Sequence, residues 1–181
     1  MRSLSYQAFV AATALLLAGC EAEAGELAIT ASERQDSDLA SAATGLSDTD
    51  QAAAYRAAGF RQVDGQWRSG CDDPGTLSYS PGEIAQSGDF NEDGLPDAVI
   101  VEGGTYCYGF VGRGYFLVSK QPDGWRLMDS RGGFANLLDT RGSGNPDVEV
   151  GGPGFCFPVL RWNGSEYVLN RRQYEGKPCT G

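Results

Sequence analysis

Residues 89–101 read Asp-Phe-Asn-Glu-Asp-Gly-Leu-Pro-Asp-Ala-Val-Ile-Val, and this stretch decides the fold of the chain. Oxygen-bearing side chains stand at its first, third, fifth and ninth positions, and a glycine stands at the sixth. Ca²⁺ takes about six to eight oxygen ligands, and a loop that supplies them needs a small residue where its backbone turns sharply. The pattern therefore predicts a calcium site with four side-chain ligands and one main-chain carbonyl: Asp89, Asn91, Asp93, Asp97 and the carbonyl of Leu95.

The residues that follow the loop distinguish it from an EF-hand. An EF-hand has a glutamate at the twelfth position of its loop, and this chain has Ile100 there. Residues 98–101 are an apolar run rich in β-branched side chains, which indicates a buried strand. The alternative is an acidic hairpin turn that needs no ion, because Asn, Asp and Gly are also the residues that favour turns.

A loop of this kind that leads into a strand resembles the integrin-type FG-GAP repeat, also called the VCBS repeat. The calcium loop of that family has the pattern Asp-x-Asp/Asn-x-Asp/Asn-Gly-x-x-Asp. The resemblance is close over residues 88–101 and loose as far as residue 129. It implies a β-sheet unit that holds calcium as a structural ion and not as a catalytic one.

A second, altered copy of the loop lies downstream, at Asp139-Thr-Arg-Gly-Ser-Gly-Asn-Pro-Asp147. Each loop is followed by a Gly-Gly pair and an aromatic-Cys-aromatic segment, which indicates an internal repeat. Three residues keep ligating oxygens, namely Asp139, Ser143 and Asp147. The third position is Arg141, a fixed cation with no lone pair to give. We expect this degenerate loop to be metal-free, with Arg141 neutralising the two aspartates.

Hairpin signals divide each copy into four strands. Asp123-Gly124 and Asn163-Gly164 lie between apolar segments, and a third turn, Asp64-Gly65, joins residues 60–63 to residues 66–69. The predicted strands of the two copies lie near residues 83–87, 98–102, 115–119, 125–129, 134–138, 148–150, 157–162 and 166–171.

These elements predict a mainly β domain over residues 48–181. It would contain two four-stranded propeller-blade-like repeats, at about 83–130 and 134–172, and it would be stapled by disulfides. A helix over residues 48–58 precedes the hairpin, because acidic residues begin it and Gly59 ends it. A closed propeller needs about four or more blades, so we expect open sheets.

The start of the chain has the features of an exported lipoprotein. Residues 1–19 carry an apolar stretch that is too short to span a bilayer, as in a secretory signal peptide. Leu17-Ala-Gly-Cys20 resembles the bacterial lipobox, which implies cleavage before Cys20 and lipidation of its thiol; an apolar tail with an unrelated cysteine is the alternative. Residues 20–47 would then be the lipidated cysteine and a disordered acidic tether.

The resemblance to lipoproteins also implies a location. Glu21 stands where an aspartate is associated with inner-membrane retention. We therefore expect an anchor in the outer membrane of a bacterial cell envelope, with the domain facing the periplasm or the cell surface.

Composition excludes several classes of function. The formal net charge is −10, which is poorly suited to nucleic acid or to anionic lipid headgroups, so no nucleic-acid partner is expected. The chain contains no histidine. Serine or cysteine catalysis with a histidine base is therefore excluded, and so is histidine-ligated zinc or haem.

Four cysteines remain besides Cys20, and an exported compartment favours two disulfides. Three connectivities are open. We favour the local pairing of Cys71 with Cys107 and of Cys156 with Cys179, and a bond between Cys107 and Cys156 is its rival.

Bulky rings flank two of these cysteines, in Tyr106-Cys-Tyr108-Gly-Phe110 and in Phe155-Cys-Phe157. We expect these rings to form a core around the disulfides. The alternative is a recognition surface, because aromatic residues in loops often anchor partners. The segment Gly151-Gly-Pro-Gly-Phe-Cys-Phe-Pro158 also resembles small exported proteins of proteobacteria, a resemblance that implies no activity.

The sequence therefore favours a lipid-anchored, calcium-stabilised binding or scaffolding module of the cell envelope, with no catalytic role. The expected partners are the membrane, through the lipid, and an envelope protein or glycan. One alternative is an envelope hydrolase, since two carboxylates can act as acid and base without histidine. Its candidate acids are Asp72, Asp73, Glu83, Glu102 and Glu149. A passive spacer domain without a partner is the other alternative.

If Cys20 carries the lipid, Cys20→Ser should move the protein from the membrane fraction to the soluble fraction, because stable anchoring depends on the acyl chains. Fractionation of cells that express the two forms checks this. A Cys20→Ser protein that stayed with the membranes would contradict the lipoprotein assignment.

Overall fold

The structure is a computed structural model and describes residues 44–180. The predicted signal peptide, Cys20 and the tether as far as residue 43 lie outside the described residues. The last tether residues belong to the domain instead, because Leu46 is buried and Ser47 accepts a hydrogen bond from the Asp50 amide at 3.1 Å. The prediction that the tether extends to residue 47 is therefore wrong at its end, where Ser47 caps the first helix.

The described residues are mainly β. Helix α1 spans Asp48–Ala57, and a short helix α2 at Thr105–Tyr108 leads into a 3₁₀ turn at Gly109–Val111. The strands are β1 Arg61–Val63, β2 Gln66–Arg68, β3 Ser80–Gly88, β4 Asp97–Gly103, β5 Arg113–Gln121, β6 Gly124–Gly132, β7 Phe134–Gly142, β8 Asn145–Gly151, β9 Phe157–Trp162, β10 Tyr167–Tyr174 and β11 Lys177–Pro178. Within residues 44–180, no helix is long and apolar enough to cross a membrane.

The strands form three antiparallel sheets. β1 and β2 make a two-stranded ribbon, β3 to β6 make a four-stranded sheet, and β7 to β11 make a five-stranded sheet, each in chain order. Both larger sheets have a register shift between their third and fourth long strands, at Leu117/Val118 in one and at Leu169/Arg171 in the other. The expectation of a mainly β fold with open sheets, not a closed propeller, is confirmed.

Strand β4 lies at the centre of the domain because both of its faces are covered. All seven of its residues are buried. Val99 and Val101 belong to a core shared with the five-stranded sheet, whereas Ala98 and Ile100 belong to a second core shared with α1 and Phe60. Successive side chains of a strand point to opposite faces, so a run that is apolar at every position suits a strand covered on both sides.

Helix α1 is fixed to the four-stranded sheet through its first turn. The Asp50 carboxylate accepts hydrogen bonds from Lys120 Nζ at 2.7 Å and from Trp125 Nε1 at 3.1 Å. These bonds, with that of Lys120 the strongest, lower the pKa of Asp50. Tyr55 stacks on Trp67 with ring centroids 4.7 Å apart, which joins the helix to the β1–β2 ribbon.

Two disulfides link Cys71 to Cys107 and Cys156 to Cys179, with Cα atoms 5.7 Å apart in each pair. The favoured local pairing is therefore confirmed. Both bonds hold loops that follow the inner strands of the two larger sheets.

Replacing both members of one pair by serine should lower the free energy of unfolding by about 3–4 kcal/mol, since each bond restricts a long loop of the unfolded chain. The loss should be somewhat larger for Cys71 and Cys107, which are 36 residues apart, than for Cys156 and Cys179, which are 23 apart. Denaturant midpoints measure both effects. Peptide mapping of the oxidised protein should recover the same two pairs, and a Cys107–Cys156 peptide would contradict them.

Candidate metal centre

The predicted calcium ligands lie together in the turn between β3 and β4. The Asp89 carboxylate accepts hydrogen bonds from the amides of Asp93 at 3.1 Å and Gly94 at 2.8 Å. The Asp93 carboxylate accepts from the Leu95 amide at 2.8 Å and from the Asn91 side-chain amide at 3.0 Å. Gly94 has a φ of +84°, a conformation that favours glycine. The loop therefore folds back at its sixth position, as the sequence predicts.

Asp97 closes this loop from the protein interior, where it is only 3% exposed. Its Oδ2 accepts hydrogen bonds from the amides of Phe90 at 2.7 Å and Asn91 at 3.2 Å. Its Oδ1 is buried and has no hydrogen-bond partner among the described residues. Burial raises the pKa of Asp97, although the Ser119 hydroxyl and the two amides act in the opposite direction. An unpaired buried acceptor costs roughly 1–3 kcal/mol, and more when it is charged.

Asp147 occupies the corresponding place in the five-stranded sheet and is also fully buried. Here both oxygens are paired: Arg161 donates from Nε at 2.9 Å and from a terminal nitrogen at 2.8 Å, Arg171 donates at 2.7 Å, and the Thr140 hydroxyl donates at 2.6 Å. Burial alone would raise the pKa of Asp147, but these bonds outweigh it and lower the pKa to about 2. The second loop thus satisfies its buried carboxylate with protein cations.

Arg141 does not neutralise Asp139 or Asp147, and that prediction is wrong. Its guanidinium reaches across to the first loop, where it donates to the Phe90 carbonyl at 2.6 Å and to the Glu92 carboxylate at 2.8 Å. Two other arginines already surround Asp147, and Asp139 is exposed at the surface. Arg141 therefore connects the two loops.

The partners of the two buried aspartates could not be assigned from the sequence motif. Ser119 on β5 is the register partner of Asp97, whereas Arg161 on the neighbouring strand β9 binds Asp147. Arg161 interrupts an otherwise apolar strand, and a cation in such a strand could have indicated a buried anion nearby. Arg171 gives no such signal, because much of β10 is polar and exposed.

The loop carboxylates do not form a ready-made metal cluster. Among residues 44–180, no group of three or more His, Cys, Asp or Glu side chains is arranged to hold a metal ion. Any calcium shell at this loop therefore needs the exposed Asp89 and Asp93 side chains to rotate toward Asp97, and it needs the Asn91 side chain and the Leu95 carbonyl as further ligands.

A cleft of about 370 Å³ lies beside the two loops. The first loop contributes Asn91 and Asp93 to it, and the second loop contributes Ser143 and its neighbours. Its complete lining combines polar groups with two apolar side chains, Met128 and Trp162: Asn91, Asp93, Gln121, Arg126, Met128, Ser143, Gly144, Asn145, Trp162 and Gly164.

The acids considered for a hydrolase each hold a partner of their own. Glu102 is buried and accepts hydrogen bonds from Ser69 and from the Tyr79 and Tyr108 hydroxyls. The other four engage backbone amides, arginines or amide side chains: Asp73 with Gly75 and Thr76, Asp72 with Arg61, Glu83 with Arg113, and Glu149 with Asn136 and Gln173. None of these bonds joins one of the five acids to another.

Comparisons with known proteins do not assign the chain to a family. No protein-family model, no curated protein and no solved structure matches it. The resemblance to the FG-GAP repeat accordingly stays a prediction from residues 88–101.

Replacing Asp147 by asparagine should destabilise the domain by roughly 2 kcal/mol, less than for a fully buried ion pair because both arginines are partly exposed. The pKa of Asp147 is lowered on folding, so its contribution is present above the unfolded pKa and is lost as the pH falls toward about 2. Asp147→Asn should therefore flatten the loss of stability between about pH 4 and pH 2. Denaturant titrations at several pH values measure this, with Asp139→Asn as the exposed control that should leave the slope unchanged.

Proposed function

We propose that this protein is a lipid-anchored binding or scaffolding module of the bacterial cell envelope, and that its loop at residues 89–97 holds a structural calcium ion. The observation that carries the calcium proposal is the Oδ1 atom of Asp97, which is buried and unpartnered at the ninth position of the loop. A hard divalent cation is the ligand that best suits a buried carboxylate oxygen beside further carboxylate and carbonyl oxygens.

The comparison of the two loops supports a cation at the first one. Asp97 and Asp147 are both buried aspartates near the start of an inner strand, at matching places in the two loop motifs. Asp147 has two guanidinium groups and a hydroxyl against it, whereas Asp97 has two backbone amides and the neighbouring Ser119. Since a buried charge is tolerated only when it is compensated, the missing positive charge at Asp97 favours a bound ion.

The contacts of Arg141 are compatible with this proposal because they involve none of the predicted calcium ligands. It binds the Phe90 carbonyl and the Glu92 carboxylate, neither of which is among the predicted ligands. The residues that would ligate calcium remain clear of a competing guanidinium. The exposed Asp89 and Asp93 side chains contribute to neither core, so their rotation would cost hydrogen bonds within the turn but no core packing.

The binding role is proposed for the cleft beside the loops. It mixes hydrogen-bonding side chains with the apolar surfaces of Met128 and Trp162, a lining that suits a small polar ligand such as an envelope glycan. A calcium ion in the first loop would fix Asn91 and Asp93, which form one wall of this cleft. The hydrolase alternative receives no comparable support, because its candidate acids are each engaged elsewhere.

Calcium should raise the melting temperature of the wild-type domain, because an ion that binds only the folded state stabilises it by mass action. Asp97→Asn is the sharpest variant, since asparagine keeps an acceptor for the Phe90 and Asn91 amides and removes the buried charge. In EGTA we expect Asp97→Asn to be at least as stable as the wild type, and in calcium we expect it to gain nothing. Differential scanning calorimetry with and without calcium measures both effects.

Two further variants control for this experiment. Asp93→Ala should also abolish the calcium response, because it removes a predicted ligand, whereas Asp139→Ala should leave the response intact. The calcium proposal is contradicted if millimolar calcium leaves the melting temperature of the wild-type domain unchanged. Isothermal titration calorimetry on the same protein would then confirm that no ion binds.

A further inference from the structure

The end of the domain opposite the acidic loop carries apolar side chains in open solvent. Phe110 is 92% exposed, Phe155 is 73% exposed, Tyr106 is 63% exposed and Leu77 is fully exposed. The expectation that the rings beside the cysteines form a core around the disulfides is therefore wrong for the first three. Tyr108 differs, because its hydroxyl donates to the buried Glu102.

These side chains belong to three loops that lie next to one another. The Ser78 hydroxyl and the Thr105 hydroxyl are 2.9 Å apart, which joins the loop of Leu77 to helix α2. A Cβ placed on Gly152 would lie 3.5 Å from the Val111 side chain, so the loop after β8 contacts the loop after β4. All three loops therefore meet at one end of the domain.

The three loops are also free of charge. Residues 74–82, 103–112 and 150–160 contain no Asp, Glu, Lys or Arg, although 21% of the chain is charged. Two of the acids that flank these runs, Asp73 and Glu102, are buried and hydrogen-bonded inside the domain, and the exposed Glu83 is paired with Arg113. Charged side chains stand beside these loops, because the hairpin of Glu175 and Lys177 lies next to Phe157, whereas the aspartates of both loop motifs lie at the opposite end.

The chain segments that carry the exposed rings are held by disulfide bonds. Cys107 lies between Tyr106 and Phe110 and is bonded to Cys71, and Cys156 follows Phe155 and is bonded to Cys179. The Gly104 amide also donates to the Gly112 carbonyl at 2.9 Å, which closes the base of the Phe110 loop. The backbone that carries these rings is therefore fixed at this end of the domain.

We propose that these three uncharged loops insert their apolar tips into the interface of a lipid bilayer, as a second membrane contact besides the proposed lipid on Cys20. Aromatic and leucine side chains favour the membrane interface, and loop tips without charge lose no hydration of ions when they enter. Separate protruding tips suit a fluid bilayer better than they suit a protein partner, which would need a matching pocket for each ring. The acidic opposite end would be repelled by anionic headgroups, so it faces away from the membrane.

The test uses residues 38–181, which carry no lipid and whose described part, residues 44–180, contains both cores and both disulfides. This protein should co-float with phosphatidylcholine vesicles, and more weakly with vesicles that contain phosphatidylglycerol. Phe110→Ser with Phe155→Ser should weaken binding by at least about ten-fold, because two inserted rings are lost. Leu169→Ser removes an exposed apolar side chain from β10 instead and should leave binding unchanged.

A spectroscopic reporter checks the depth of insertion. In the Phe110→Trp variant, vesicles should shift the emission of the added tryptophan, measured against the wild-type spectrum, to shorter wavelength, and brominated phosphatidylcholine should quench it. The tryptophan added in Leu169→Trp should show neither effect. Both results should be the same in calcium and in EGTA, so this test does not depend on the calcium proposal. The proposal is overturned if the wild type does not bind neutral vesicles, or if Leu169→Ser weakens binding as much as the double variant. It is equally overturned if the wild type dimerises in solution and the double variant is monomeric, since the rings would then join two copies.

Discussion

The structure depends on one constraint, which is the burial of strand β4 on both faces with an aspartate as its first residue. The apolar run after Asp97 separates two cores, one shared with the five-stranded sheet and one shared with helix α1. Strand β4 is buried from its first residue onward, so the side chain of Asp97 lies in the interior. The turn before the strand therefore has to supply partners for a carboxylate that water does not reach, and the spacing of oxygens in that turn follows from this need.

The two larger sheets meet the same constraint in different ways. In the five-stranded sheet, Arg161 on β9 and Arg171 on β10 supply positive charge, and Asp147 is fully paired. In the four-stranded sheet, the place of Arg161 beside the aspartate is taken by Ser119, a neutral hydroxyl. Under the calcium proposal, a bound cation would compensate Asp97 as the two arginines compensate Asp147. The second loop has Arg141 in place of the third-position ligand, which agrees with that proposal.

Local signals predicted most of the secondary structure. Asp-Gly and Asn-Gly turns fixed the hairpins at residues 64–65, 123–124 and 163–164, and the acidic start and Gly59 located helix α1. Side-chain partners were harder to predict, because they depend on which strands become neighbours in space. The contact of Arg141 with the first loop joins residues about fifty positions apart, and no motif encodes it. The exposure of Phe110 was expected only under the alternative of a recognition surface, because phenylalanine is more often buried than exposed and few charges nearby mark this loop as surface.

The direction of β4 places the acidic loops and the uncharged loops at opposite ends of the domain. The Ser87 hydroxyl, close to the acidic loop, donates to the Thr44 carbonyl, so the chain enters the domain at the acidic end. The seven residues of β4 span roughly 20 Å, which sets the minimum distance from this point to the exposed rings. If the exposed rings contact a bilayer as proposed, the cleft lined by Asn91 and Asp93 would lie at the end of the domain that faces away from the membrane, where an envelope ligand could reach it.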